Sequence, residues 1–327
     1  MKISFTGVAN REEFHSQNAG YGRVARQIYD SLQRHGYEVA INDFSAPVNI
    51  CCENPGLLYR SPGQYNIGIS THESTELASG WPEGLRSMDE VWTTATWTKN
   101  ECFDRYVDNT SLVVRACISN PFQLVKRSVD DVFYFIHTGE PTPRKNGRLV
   151  LEAFEQEFAN EENVHLIFKS SGPNSIPNIN FYDRVINLEG SLDDEEYAAI
   201  LSNVHCLVYP SMGEGGGMMP LECMATGMPS IVVPNWADYS EYIHLKLDST
   251  LGPVPEEIER SSFLRGQVYL TTVQEVRKQM REVYSNYSDY QKLYEEQAEQ
   301  LVQEYNWDRE VETRVIPRLE VVEKKIK

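Results

Sequence analysis

Apolar and polar positions change rhythm at regular intervals along the chain. "KISFTGVA" reads as a strand, and "YGRVARQIYDSLQRHG" repeats its apolar residues at helical spacing. "YEVAIND" then reads as a second strand, with Gly36 supplying the helix stop. This β-α-β opening continues through short apolar strands at "YNIGIST" and "EVWTTA", a helix at "WTKNECFDRYV" and a strand at "SLVVRAC", the pattern of a parallel sheet. The segment "ISNPFQLVKRSVDD" turns polar and carries a proline, which places a domain boundary near residues 119–130.

A second α/β series starts at "VFYFIHTG". It runs through the helix "NGRLVLEAFEQEFA", the strands "VHLIFKS" and "RVINLEG", the helix "DDEEYAAILSN" and the strand "HCLVYPS". The glycine-rich "MGEGGGMM", the helix "PLECMATG" and the strand "PSIVVP" complete a strand-loop-helix-strand unit. From about Thr272 the chain reads as long charged helices, interrupted near "YNWD" and at Pro317, with solvated acidic faces. The expected organisation is a first domain over 1–125, a second over 126–305 and a terminal helix over 306–327 packing back on the first.

Length and charge narrow the class. A chain of 327 residues suits two buried cores. A formal charge of −18 repels polyanions and argues against holding nucleic acid or anionic lipid by charge alone. "MKISFTGVANREEF" lacks the apolar run of a signal peptide, and no stretch approaches the roughly 20 apolar residues of a membrane span, so a cytoplasmic protein is expected. The six cysteines, at 51, 52, 102, 117, 206 and 223, show no C-x-x-C pair and no histidine at zinc-ligand spacing. They read as packed thiols, Cys223 included.

Three segments carry candidate chemistry. In "NAGYGR", Gly20 and Gly22 ahead of a helix leave amides available to an anion, although Ala25 breaks the G-x-G-x-x-G dinucleotide pattern. In "HTGEPTPRKNG", Arg144 and Lys145 follow a strand and precede a helix, where a forked guanidinium and a mobile ammonium suit a diphosphate. In "PSMGEGGGMMPLECMATGMP", Glu214 and Glu222 stand eight positions apart around Gly215, Gly216 and Gly217 and the helix-start residues Met218 and Met219. There the backbone can approach a ligand, and a carboxylate can accept from vicinal hydroxyls. A glycosidase-like acid/base pair is a competing use of the two carboxylates, but it leaves Arg144 and Lys145 without a role.

These residues resemble the retaining glycosyltransferases of family 4, whose Glu, seven residues, Glu motif precedes a small residue, glycine and proline. Glu214, Glu222 and "MATGMP" match it, and "TPRKNG" with "LVLEAFEQEF" resembles the family's Arg-Lys loop. The likeness extends from "GYGRVARQIYDSL" through "EVWTTATWTKNECF" to "YNWD" and is densest over residues 131–241. It implies an α/β GT-B fold, two Rossmann-like domains facing each other across a cleft. It also implies that Arg144 and Lys145 hold the donor diphosphate, Glu214 contacts the donor sugar, and Glu222 contacts the ribose. His72, in "ISTHES", would line the cleft near the transferred sugar. Glu241 falls where family members carry a GGxxE loop, without the paired glycines.

The implied activity is retaining transfer of a hexose-type sugar from a UDP- or GDP-sugar to a hydroxyl acceptor, a glycan or lipid-linked saccharide. The leaving phosphate would help deprotonate that acceptor. No Asp-x-Asp site is evident, the "DD" pairs beginning at Asp130 and Asp193 fall at a boundary and a helix start, and no metal or other cofactor is expected. Transfer to a modified nucleic-acid base, sugar-nucleotide epimerisation and a silent nucleotide-sugar binder stay open as alternatives.

Overall fold

The computed structural model describes residues 1–10, 20–128, 132–161, 163–173, 176 and 178–327. Asn18 and Ala19 of the glycine-rich loop, and Asp130 with Asp131, lie outside the described residues. The chain divides into two compact units. One comprises Met1–Cys117, Val254–Gln267 and Tyr305–Lys327, the other Ile118–Pro253 and Val268–Glu304. Each contains a six-stranded sheet with parallel pairings and helices on the connections, a Rossmann-like α/β plan.

In the first unit β1 (Lys2–Gly7), α1 (Gly20–Arg34), β2 (Glu38–Ile41), β3 (Val48–Cys52) and β4 (Tyr65–Ile69) are followed by α2 (Trp81–Ser87), β5 (Glu90–Thr93), α3 (Thr96–Glu101) and β6 (Thr110–Val113). The strand order is β2-β1-β3-β4-β5-β6. Strand β3, "VNICC", was not among the expected strands. All five of its residues are buried, so it shows none of the in-out alternation that marks a half-exposed strand. Its end explains Gly7, which has φ of 75°. A Cβ there would lie 2.5 Å from the Cys52 carbonyl oxygen, so β1 and β3 approach closely only with glycine at this position.

The second unit runs β7 (Phe133–Gly139), α4 (Gly147–Phe158), β8 (Val164–Ser170), β9 (Val185–Glu189), α5 (Asp194–Leu201), β10 (Cys206–Tyr209), α6 (Met218–Ala225), β11 (Ser230–Val232) and β12 (Leu245–Lys246). Its strand order is β12-β11-β10-β7-β8-β9. The chain moves outward from β7 to β9, then crosses back to lay β10 on the other side of β7. Connections therefore leave the C-terminal ends of β7 and β10 in opposite directions. That is the switch point where open parallel sheets form ligand crevices. Asp193 caps α5 through a reciprocal box with Glu196, as its helix-start position suggests.

The segment with α7 (Glu256–Ser261) groups with the first unit. Helices α8 (Val273–Ser285) and α9 (Tyr287–Glu304) return to the second, where Glu157 of α4 accepts from Arg277 and Arg281. The chain ends in the first unit with α10 (Trp307–Glu310) and α11 (Ile316–Ile326). Asn306 caps α10 by accepting from the Asp308 and Arg309 amides, which accounts for the interruption at "YNWD".

Pro317 does not break the helix as expected. A π-turn over Val311–Val315 leads into α11, with Pro317 in its first turn, so the wider turn accommodates the missing N–H. Helix α11 is tied to the sheet through Glu90 of β5. The Glu90 carboxylate is 2% exposed and accepts from Arg318 Nε at 2.8 Å, Lys325 Nζ at 2.8 Å, Tyr65 Oη at 2.9 Å and Ser111 Oγ at 2.8 Å. All six cysteines are buried thiols.

Candidate active site

The crevice-forming ends of β7 and β10 are where Arg144, Lys145 and Glu214 converge. A 3₁₀ turn, Pro143–Lys145, follows β7 and ends at Asn146, whose φ of 60° and ψ of 31° turn the chain into α4. This turn is bolted to the segment after β10. The Met212 amide donates to the Arg144 carbonyl at 3.0 Å, and Asn146 Nδ2 donates to the Pro210 carbonyl at 2.9 Å. Two loops distant in sequence are thereby fixed against one another, as a preorganised charge site requires.

Among the described residues, four donors meet on one oxygen of Glu214. Its Oε1 accepts from Arg144 Nη1 at 2.7 Å, Lys145 Nζ at 2.7 Å, Ser211 Oγ at 2.5 Å and Tyr209 Oη at 3.1 Å. Arg144 also donates to the Gly213 carbonyl, and Lys145 donates to the Tyr209 hydroxyl with its ammonium 4.9 Å from the ring centroid. Glu214 and Lys145 are buried. Burial resists ionisation of Glu214, but the charges of Arg144 and Lys145, with hydrogen bonds from Lys145 and Ser211, outweigh it and hold the carboxyl down at about 2. Burial and the neighbouring Glu214 charge push the Tyr209 phenol well above its ordinary range, so it stays protonated and can donate.

Two glycines make room for this arrangement. Gly139, at the end of β7 with φ of 137°, faces the Lys145 stem, and a Cβ there would lie 3.3 Å from Lys145 Cε. Gly217 precedes α6 with φ of 66°. A Cβ at Gly217 would come within 2.5 Å of both the Trp236 ring and the Tyr239 hydroxyl, which donates to the Gly217 carbonyl at 2.6 Å. Gly215 and Gly216 lie in the same loop, and Met218 and Met219 form the partly exposed first turn of α6.

The structure joins Arg144, Lys145 and Glu214 directly. Glu222 lies farther along α6, wholly buried beside Cys223 and Tyr197, whose thiol and phenol are raised chiefly by burial, with the Glu222 charge acting in the same direction. Gly20 and Gly22 belong to the first unit and fall inside the first turn of α1 rather than ahead of it, with Gly20 at φ of 54°. His72 also belongs to the first unit, just after β4. It is 1% exposed, with Nε2 at 2.9 Å from both the Glu76 carbonyl and Ser74 Oγ. Glu241 is exposed in a short 3₁₀ turn.

Sequence reasoning passed over Tyr209 and Ser211. Both stand immediately before the Glu214 loop, at the end of a buried strand where a tyrosine and a serine look like ordinary packing. It also passed over His137 of β7, whose Nδ1 donates to the Val208 carbonyl at 2.9 Å. Burial pushes the His137 imidazole down to about 4, with the nearby Lys145 charge acting in the same direction, so it adds no charge to the site at neutral pH. Lys169, at the end of β8, donates to the Ser170 carbonyl at 2.9 Å and to the Gly190 carbonyl, and burial lowers its pKa.

Residues 132–257 match the family described as glycosyl transferases group 1. The matched segment holds the whole Arg144, Lys145 and Glu214 cluster. No curated protein sequence matches the chain. Solved structures of the GT-B type share its fold. A sucrose-phosphate synthase from Thermosynechococcus elongatus superposes with a TM-score of 0.69 at 13% identity, over 100% of this chain and 99% of that one. WaaG, a glycosyltransferase involved in lipopolysaccharide biosynthesis, gives 0.62 at 9% identity over 91% and 95%. The Anabaena protein HepE, in complex with UDP-glucose, gives 0.60 at 12% identity over 98% and 100%. The fold is therefore GT-B, with two parallel-sheet Rossmann-like domains. Among the described residues no helix is long and apolar enough to cross a membrane.

Proposed function

We propose that this protein is a retaining glycosyltransferase that moves a hexose-type sugar from a nucleoside diphosphate sugar to a hydroxyl acceptor, a glycan or lipid-linked saccharide. The observation that carries this reading is the meeting of Arg144 and Lys145 on the buried Glu214 at the switch point, inside the segment that matches the family.

Cleaving the sugar–phosphate bond leaves new negative charge on the diphosphate. A preorganised guanidinium and ammonium in a dry site stabilise that charge without reorganising at the moment of reaction. Glu214 accepts from donor-sugar hydroxyls, and the family resemblance assigns the ribose to Glu222, which is wholly buried here. The departing phosphate, held on the face from which it leaves, receives the acceptor proton, which gives retention. UDP-sugars are the first donors to test because HepE holds UDP-glucose, and GDP-sugars are the second. A nucleic-acid acceptor is disfavoured by the formal charge of −18.

The test is a panel of UDP- and GDP-sugars scored by thermal stabilisation and by release of the nucleoside diphosphate, with Glu214→Ala and Lys145→Ala as controls. At least one donor should stabilise and be cleaved by the wild type, with the anomeric configuration kept in the product. No stabilising donor, or unchanged cleavage in both variants, refutes the assignment.

A further inference from the structure

The sugar-donor reading leaves a physical question at its centre: Glu214 already occupies both cations that the diphosphate needs. Resting on that reading, we propose that Ser211 and Tyr209 are positioning residues that retain the Glu214 carboxylate when an incoming diphosphate takes Arg144 and Lys145 from it.

The four donors on Glu214 Oε1 fall into two kinds. Arg144 and Lys145, at 2.7 Å each, carry the charge a diphosphate seeks. Ser211, at 2.5 Å, and Tyr209, at 3.1 Å, are neutral hydroxyls with little attraction for a doubly charged anion by comparison. Each hydroxyl has a single proton to give. Ser211 Oγ is nearer Glu214 than its other acceptor, the Gly213 carbonyl at 3.1 Å. The Tyr209 hydroxyl accepts from Lys145, so its own proton is available to Glu214.

Both hydroxyls stand on fixed backbone. Tyr209 ends β10, and Ser211 is anchored through its carbonyl, which accepts from Trp236 Nε1 at 3.0 Å. Two acidic groups cannot share the buried Lys145 and the half-buried Arg144 at full strength, so binding weakens one contact as it makes another. Without hydroxyls to fall back on, the carboxylate would hold the cations harder or be expelled from the site.

A double-mutant cycle on UDP affinity tests this, because it isolates the Glu214-dependent part of each hydroxyl's effect. Calorimetry with UDP alone, no sugar attached, would compare wild type, Ser211→Ala, Tyr209→Phe, Glu214→Gln and the two double variants, each checked for cooperative unfolding well above the assay temperature. Glu214→Gln should bind UDP about fivefold more tightly, because the competing charge is gone. Ser211→Ala and Tyr209→Phe should each weaken UDP about fivefold in the wild-type background and less than twofold beside Glu214→Gln. Equal weakening in both backgrounds would show that the hydroxyls only shape the loop, and would overturn the inference alone. Weaker UDP binding by Glu214→Gln would overturn it too. If the wild type binds neither UDP nor GDP, the donor reading itself falls, and the inference with it.

Discussion

Two glutamates in this chain share four kinds of hydrogen-bond donor for different ends. Glu90 in the first unit and Glu214 in the second each accept from an arginine, a lysine, a tyrosine and a serine, and both carboxyls are held down at about 2. At Glu90 the bonds are spread over both oxygens, and the cations come from α11, with side chains 25% and 48% exposed for Arg318 and Lys325. At Glu214 the four donors converge on Oε1, and the cations are neighbours in one short turn, 14% and 9% exposed.

The Glu90 cluster fastens a helix to a sheet and leaves its cations to water. The Glu214 cluster holds two adjacent cations largely away from solvent, at the sheet edge where open parallel sheets form ligand crevices. Composition does not separate a fastener from a candidate donor site. Placement of the cations does.

The largest expected difference is in turnover. Lys145→Ala should lower release of nucleoside diphosphate from the donor by about 100-fold or more, the scale on which one preorganised electrostatic contact counts. Arg318→Ala, which removes the corresponding cation at Glu90, should leave turnover per folded molecule unchanged. A tenfold loss in Arg318→Ala, with full folding by circular dichroism, would erase the distinction.

Stability should show what Arg318 does instead. Removing Arg318 leaves Glu90 buried with fewer charge partners, and about 2–3 kcal/mol of unfolding free energy should be lost in urea titrations. The change should appear as a lower midpoint with an unchanged slope. UDP affinity should stay within twofold of wild type. A midpoint unchanged in Arg318→Ala would mean α11 is held by its apolar face alone.

How much of this was readable beforehand depends on sequence separation. Arg144 and Lys145 announce themselves because they are adjacent and sit between a strand pattern and a helix pattern, and Glu214 because glycines and a helix start surround it. The Glu90 cluster spans residues 65 to 325, so no local spacing could reveal it. The α/β alternation was visible wherever periodicity was clean. It failed for β3, where burial on both faces removes the period, and at Pro317, where a π-turn absorbs a residue that ordinarily ends a helix. Tyr209 and Ser211 were hidden for a related reason, since a buried strand end gives polar residues no pattern of their own.

Acid should act on both clusters in one direction. Each carboxyl has a folded-state pKa near 2, below its ordinary 4.5, so its ionised form stabilises the fold fully above pH 4.5. That contribution is lost as pH falls from 4.5 towards 2, when the folded state must also take up the proton. Wild-type stability should therefore decline across this window. Glu90→Gln, which cannot titrate, should start less stable at neutral pH and show a shallower decline. A slope as steep as wild type would place the acid sensitivity elsewhere.

The smallest effect is also the most discriminating, because it removes a single hydroxyl from each cluster. The Tyr65 hydroxyl donates to Glu90 at 2.9 Å, and Tyr65→Phe should cost about 1 kcal/mol of stability with no change in UDP affinity. Tyr209→Phe removes the matching hydroxyl at Glu214, at 3.1 Å, and should change UDP affinity more than stability. The asymmetry follows from what happens to each carboxylate. Glu90 has no part in the proposed donor site, so its tyrosine adds only one increment to a structural network. On the proposed reading Glu214 surrenders its cations to a ligand, so the hydroxyl that remains matters most when the ligand is bound. Urea midpoints and UDP calorimetry on this pair of variants would show whether the two tyrosines are interchangeable, and equal behaviour in both measurements would make the two clusters one kind of structure.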